Sequence, residues 1–121
     1  MNHLAIPVKN LEKSRLFYER IGFEVFRQWE KPEQKMKAYW MKNKNDIRLE
    51  LTYHPDNKKI IHAKIPQVFH LGIVVKNLNR MVSKLQKEGI NLVVPIAKGK
   101  TVKKYTYIKD PSGFSIELLE I

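Results

Sequence analysis

His3-Leu4-Ala5-Ile6-Pro7-Val8-Lys9-Asn10-Leu11 returns 67 residues later as His70-Leu71-Gly72-Ile73-Val74-Val75-Lys76-Asn77-Leu78, and this pairing decides the fold. At the same offset, with no gap, Gly22 meets Gly89, Glu50 meets Glu117 and Leu51 meets Leu118. Residues 2–54 set against 69–121 give 13 identities in 53 positions, four of them Lys on Lys. Unrelated stretches match at about one position in sixteen, so the repeat is real. Two copies of this length are too few and too long for a solenoid. They are two fused modules, within a chain of 121 residues that is long enough to bury a core.

Each module reads alike. Leu4, Ile6 and Val8 alternate with His3, Ala5 and Pro7, so residues 2–8 are expected as a strand. Asn10 is a helix N-cap, Leu11, Ser14, Phe17/Tyr18 and Ile21 form a helical stripe, and Gly22 stops it. Asn77, the stripe Leu78, Met81, Val82 and Leu85, and Gly89 repeat the pattern. Three strand-like segments follow in each half: 23–29, 37–41 and 47–52, then 90–94, 102–108 and 114–119. The last two of each half are joined by turns at Asn43–Asp46 and Asp110–Gly113. The reading is therefore α+β, β-α-β-β-β twice: module one 1–54, linker 55–67 and module two 68–121, within one domain of 1–121. The linker carries His54 at its border and His62 within it. Neither has a partner in the repeat, and both are expected at the surface.

Composition narrows the function. No apolar run approaches the ~20 residues of a membrane span, and residues 1–4 lack the basic-then-apolar opening of a signal peptide. With no cysteine, thiolate metal sites and thiol catalysis by the chain are excluded, and a cytoplasmic location is expected. The charge is unusual, since 23 Lys and Arg against 12 Asp and Glu give +11. The basic residues are spread evenly from Lys9 to Lys109, without blocks or an RNA-binding aromatic signature. A lysine-rich solvated surface is the reading adopted, and a nucleic-acid partner is not expected.

Strand alternation singles out four side chains. His3 and His70 lie on the strand face opposite the apolar run that packs against the helix. Glu50 opposes Ile47, Leu49 and Leu51, and Glu117 opposes Phe114, Ile116 and Leu118. All four project from the face that their own helix leaves uncovered. Two sheets facing across that surface would gather two imidazoles and two carboxylates, a donor set suited to Zn²⁺, Ni²⁺, Co²⁺ or Mn²⁺. Arg48, on the face of Glu50, and Lys98 and Lys100, in a turn, are candidates to bind a small anionic substrate.

In this order, these residues resemble the vicinal oxygen chelate superfamily of glyoxalases, bleomycin-resistance proteins and extradiol dioxygenases. The resemblance runs over His3 with Val8-Lys9-Asn10-Leu11, Phe17-Tyr18…Gly22-Phe23, His70-Leu71-Gly72-Ile73 and Asp110-Pro111…Gly113-Phe114…Glu117-Leu118. It implies paired βαβββ modules whose sheets curl around a metal cup, with His3, Glu50, His70 and Glu117 as ligands. Glutamate at position 50, within Leu49-Glu50-Leu51-Thr52-Tyr53, is similar to glyoxalase I, the lactoylglutathione lyase branch. Two departures touch the thiol. Pro7 stands at the strand end where glutathione-using members carry an arginine, and His54 stands where they carry an asparagine. What the resemblance implies is a metal-dependent lyase or isomerase acting on a small vicinal-oxygen substrate, such as a methylglyoxal hemithioacetal, through an enediolate. Glu117 is the first choice for the base and Glu50 the second. Glutathione or another thiol would be the co-substrate, and a homodimer would share the sites, His3 and Glu50 from one chain and His70 and Glu117 from the other. A metal-dependent resistance or dioxygenase-type enzyme, and a non-catalytic module binding a small drug-like ligand, are the alternatives.

Overall fold

The alternation and the caps organise the chain as two copies of one topology. The computed structural model describes residues 1–60 and 69–121. The chain divides into two units, Met1–Lys64 and Ile65–Ile121. Unit one runs β1 (Leu4–Val8), α1 (Leu11–Arg20), β2 (Glu24–Lys31), a 3-10 turn (Pro32–Gln34), β3 (Met36–Lys42), β4 (Arg48–Tyr53) and α2 (Asn57–Ile60). Unit two runs β5 (His70–Val74), α3 (Leu78–Lys87), β6 (Ala97–Lys98), β7 (Lys104–Lys109) and β8 (Ser115–Glu120). Each unit holds one four-stranded mixed sheet, ordered β1-β4-β3-β2 and β5-β8-β7-β6. The first and last strands of each pair in parallel and the other neighbours are antiparallel. This is the α+β, twice-repeated architecture expected.

The helices begin and end where the sequence predicts. Asn10 and Asn77 each accept a hydrogen bond from the backbone N–H three residues on, at 3.0 Å in both copies. Gly22 and Gly89 take left-handed φ values of 102° and 84°, which a side chain would resist. Leu11, Ser14, Phe17 and Tyr18 of α1 are buried, as are Leu78, Val82 and Leu85 of α3. They face Ile6, Val8, Met41, Leu49 and Leu51 in unit one, and Ile73, Ile108, Ile116 and Leu118 in unit two, all at most 2% exposed. Burying a side chain of this size contributes about 1.5–3 kcal/mol. Each helix thus covers one face of its own sheet.

Three expectations need correction. The strand predicted at 90–94 does not form a ladder, and the edge strand of unit two is the two-residue β6, Ala97–Lys98. The N–H of Val93 donates to the carbonyl of Tyr107 and the Thr106 hydroxyl to the carbonyl of Val94, both at 2.7 Å. Pro95 has no N–H with which to continue the pairing. Within the predicted linker, residues 57–60 form the short helix α2. His54 is only half-exposed, with Nδ1 accepting from the N–H of Asp56 at 3.0 Å. His62 and the rest of the linker from residue 61 onward lie outside the described residues. Among the described residues, no helix is long and apolar enough to cross a membrane.

Candidate functional site

Parallel pairing of first and last strands sets each histidine beside its glutamate. Ala5 stands opposite Glu50 and Gly72 opposite Glu117, two small residues next to the two carboxylates. In unit one, His3 Nε2 lies 3.8 Å from Glu50 Oε1, and in unit two His70 Nε2 lies 3.6 Å from Glu117 Oε1. The imidazoles are 31% and 29% exposed and the carboxylates 16% and 20%. Each pair is therefore reachable from solvent yet mostly withdrawn from it. Among the described residues, no group of three or more metal-binding side chains gathers in one place. The four residues named from sequence occur as two equivalent pairs, one in each unit.

The hydrogen bonds around each pair orient it. His3 Nδ1 lies 2.9 Å from the carbonyl oxygen of Met1. A carbonyl can only accept, so this nitrogen carries the proton and the lone pair of a neutral ring sits on Nε2, towards Glu50. Glu50 Oε2 accepts from the Trp29 indole N–H at 2.9 Å, which leaves Oε1 on the imidazole side. Glu117 Oε2 accepts from the Tyr107 hydroxyl at 3.2 Å, with the same consequence. Burial, and then the charge of Glu117, push the Tyr107 hydroxyl above the ordinary tyrosine range, so it remains a donor.

A divalent ion fits this chemistry. Nitrogen and oxygen ligands bind such ions at about 2.0–2.2 Å, so two of them can bracket one ion up to ~4.2 Å apart. Both observed separations are shorter. A lone pair on imidazole facing a carboxylate oxygen also repels it unless a cation or a proton lies between.

Aromatic rings surround the pairs, and sequence reasoning passed over them. Trp40, directly across from Glu50, meets the His3 ring edge-on with centroids 4.4 Å apart. Tyr107, its repeat mate across from Glu117, meets His70 in the same way at 5.3 Å. The offset of 67 that paired the histidines also pairs these two rings, and that was the available signal. Of the residues proposed for an anionic substrate, Arg48 lies over the Phe26 ring at 5.7 Å and binds Asp46 at 3.1 Å. Lys98 lies in β6, the edge strand two places from β8, and Lys100 follows in the turn; both are exposed. The sheet order does not bring these lysines next to the strand that carries Glu117.

Comparison with known proteins agrees with the fold. The profile of the Glyoxalase/Bleomycin resistance protein/Dioxygenase superfamily matches residues 1–118. The chain is 27% identical to a lactoylglutathione lyase of Schizosaccharomyces pombe, over 98% of its own length and 44% of that protein, so it spans under half of this relative. It is also 27% identical to a lactoylglutathione lyase of Shigella flexneri, over 98% of its length and 90% of that protein. Among solved structures, the trypanothione-dependent glyoxalase I of Leishmania major superposes with a TM-score of 0.79 at 28% identity, covering 98% of this chain and 84% of that one. The chain belongs to the Glyoxalase/Bleomycin resistance protein/Dioxygenase superfamily.

Proposed function

We propose that the chain is a glyoxalase-like metal-dependent enzyme, a lyase or isomerase acting on a small anionic substrate with vicinal oxygens. A methylglyoxal hemithioacetal, formed with glutathione or another thiol, is the substrate of choice. The observation that carries the reading is the repeated pair, a His Nε2 and a Glu Oε1 at 3.8 and 3.6 Å, each glutamate bonded on its far oxygen by an aromatic donor. His3, Glu50, His70 and Glu117 would hold a Ni, Zn, Co or Mn ion, the modules 1–54 and 68–121 and the linker 55–67 acting as one domain. When bound, such an ion acts as a Lewis acid towards the substrate's oxygens and makes the neighbouring C–H more acidic. Glu117 receives that proton and returns it, and Glu50 is the second candidate. A homodimer sharing the pairs, His3 and Glu50 from one chain with His70 and Glu117 from the other, and a cytoplasmic location belong to the same reading. The lactoylglutathione lyase names of two relatives support the reaction class. The trypanothione-dependent Leishmania protein supports testing thiols other than glutathione.

Elemental analysis of the purified protein, followed by assays of methylglyoxal with several thiols, tests this directly. Stoichiometric binding of one of the four ions and thiol-dependent turnover are expected. Glu117→Gln should keep the metal and lose nearly all turnover; full activity would remove Glu117 from the base role. Failure to bind any of the ions would overturn the metal-dependent reading. One observation favours a second reading, a non-catalytic module for a flat ligand. Trp29 bonds Glu50, and Trp40, against His3, lies near Phe26 with centroids 6.3 Å apart. A metal-free protein that saturates with an aromatic drug would establish it.

A further inference from the structure

We propose that Trp29 and Tyr107 are the positioning residues of the two carboxylates, the indole fixing Glu50 in place while the phenol lets Glu117 change partners. The inference rests on the metal-dependent reading above and assigns different duties to two glutamates that the repeat makes equivalent.

Three observations carry it. First, each donor takes Oε2 and leaves Oε1 turned to an imidazole, at 2.9 Å for Trp29 and 3.2 Å for Tyr107. A carboxylate this withdrawn from water depends on such a donor. Second, the donors reach their targets differently. Trp29 stands on β2, two strands from Glu50, opposite the fully buried Ala38 of β3, whose small side chain lets the indole cross to β4. The indole is thus seated over a second strand as well as its own. Tyr107 is the direct cross-strand neighbour of Glu117, and its one ring also meets His70 edge-on. In unit one those tasks are split, with Trp40 against His3 and Trp29 on Glu50. Third, an indole N–H only donates, whereas a phenol donates or accepts after rotation about its C–O bond. When the substrate's C–H bond breaks, the electron pair stays with the substrate and the proton forms an O–H bond on the receiving carboxyl. Tyr107 can reverse its hydrogen bond to suit that new O–H, and Trp29 cannot.

The test titrates the wild-type protein, Trp29→Phe and Tyr107→Phe with Co²⁺ alone, followed by its visible absorption. Trp29→Phe should raise the Co²⁺ Kd about 10–100-fold, as loss of a group that orients a ligand does. Tyr107→Phe should raise it less than about fivefold while lowering turnover about 10–100-fold, the usual worth of a residue that orients another. Turnover lost by Trp29→Phe at limiting Co²⁺ should return in excess Co²⁺, and that lost by Tyr107→Phe should not. Unchanged Co²⁺ affinity in Trp29→Phe, or equal Kd changes in the two variants, overturns the proposal. A wild-type protein that binds no Co²⁺ overturns the metal reading and the proposal with it, so the two failures are distinct. Hydrogen exchange of the indole N–H groups in the metal-free protein needs no variant of Trp29. Trp29 should exchange more slowly than Trp40 in the wild type and lose that protection in Glu50→Ala. Equal exchange in the wild type would overturn the assignment of Trp29.

Discussion

Asn57→Ala tests whether the end of the β1–β4 pair is held as the structure describes. Asn57 opens α2 and is 6% exposed. Its two amide hydrogens go to two carbonyls, those of Val8 and Thr52, each at 2.9 Å. These carbonyls belong to the adjoining C-terminal ends of β1 and β4, the strand after His3 and the strand that carries Glu50. A hydrogen bond contributes a net ~1 kcal/mol, and a buried carbonyl left without its donor costs about 1–3 kcal/mol, so losing both bonds should cost about 2–6 kcal/mol. Asn57→Asp sharpens the test. An ionised carboxylate has the same shape but only accepts, and it would face two carbonyl oxygens, so it should cost more than alanine. Both tryptophans, Trp29 and Trp40, lie in unit one, so their fluorescence during urea unfolding reports that unit. With a urea m value of about 1.5 kcal/mol/M, a 3 kcal/mol loss lowers the midpoint by about 2 M. A cost below about 1 kcal/mol for alanine, or an aspartate variant as stable as the wild type, would refute the reasoning.

Three further outcomes are expected. Among the described residues, the buried Ser14 hydroxyl in α1 has no hydrogen-bond partner. Ser14→Ala should therefore stabilise unit one by about 1 kcal/mol in the same urea assay, and any loss of stability would mean that the hydroxyl is satisfied. Glu120 accepts from the Leu78 N–H and meets Lys103, and these partners, the backbone bond first, hold its carboxyl below the usual range. A lowered folded-state pKa gives stability that is present above the unfolded value, about 4.3, and lost as pH falls through the folded one. Glu120→Gln should flatten the acid limb of the stability profile below about pH 5, and an unchanged limb would count against the linkage. Gly72→Ala would add a methyl 3.5 Å from Glu117 Oε1 and from Leu119, ordinary contact distances, at the position where the other module already has Ala5. Its melting temperature should stay within about 3 °C of the wild type.

Much of this architecture was legible because strand parity and the offset of 67 hold through the first and last strands of each module. His3, Glu50, His70 and Glu117 fall on the uncovered face by counting alone. Trp29 was not legible, and the reason is a bulge between Val25 and Arg27 in β2. Simple alternation from the buried Phe23 puts Val25, Arg27 and Trp29 on the core side. In the ladder, Val25 pairs with the buried Met41 but Arg27 pairs with Trp40, across from Glu50, so the extra residue turns Trp29 to the other face. Asn57 was missed because four helical residues carry too little periodicity to stand out from a loop. Lys98 and Lys100 were named for their charge, which says nothing about a strand's place in the sheet.

The parallel pairing of β1 with β4 and β5 with β8 also bears on how the chain folds. The histidine and glutamate of each pair are 47 residues apart, with every other element of the ladder between them in the chain. Contacts of such sequence separation carry a large loop-closure entropy and form late and slowly. The helix and the antiparallel hairpins, which are local, can condense first. Each His–Glu pair is thus expected to close late in the folding of its own module, and a kinetic probe of either pair would test that order.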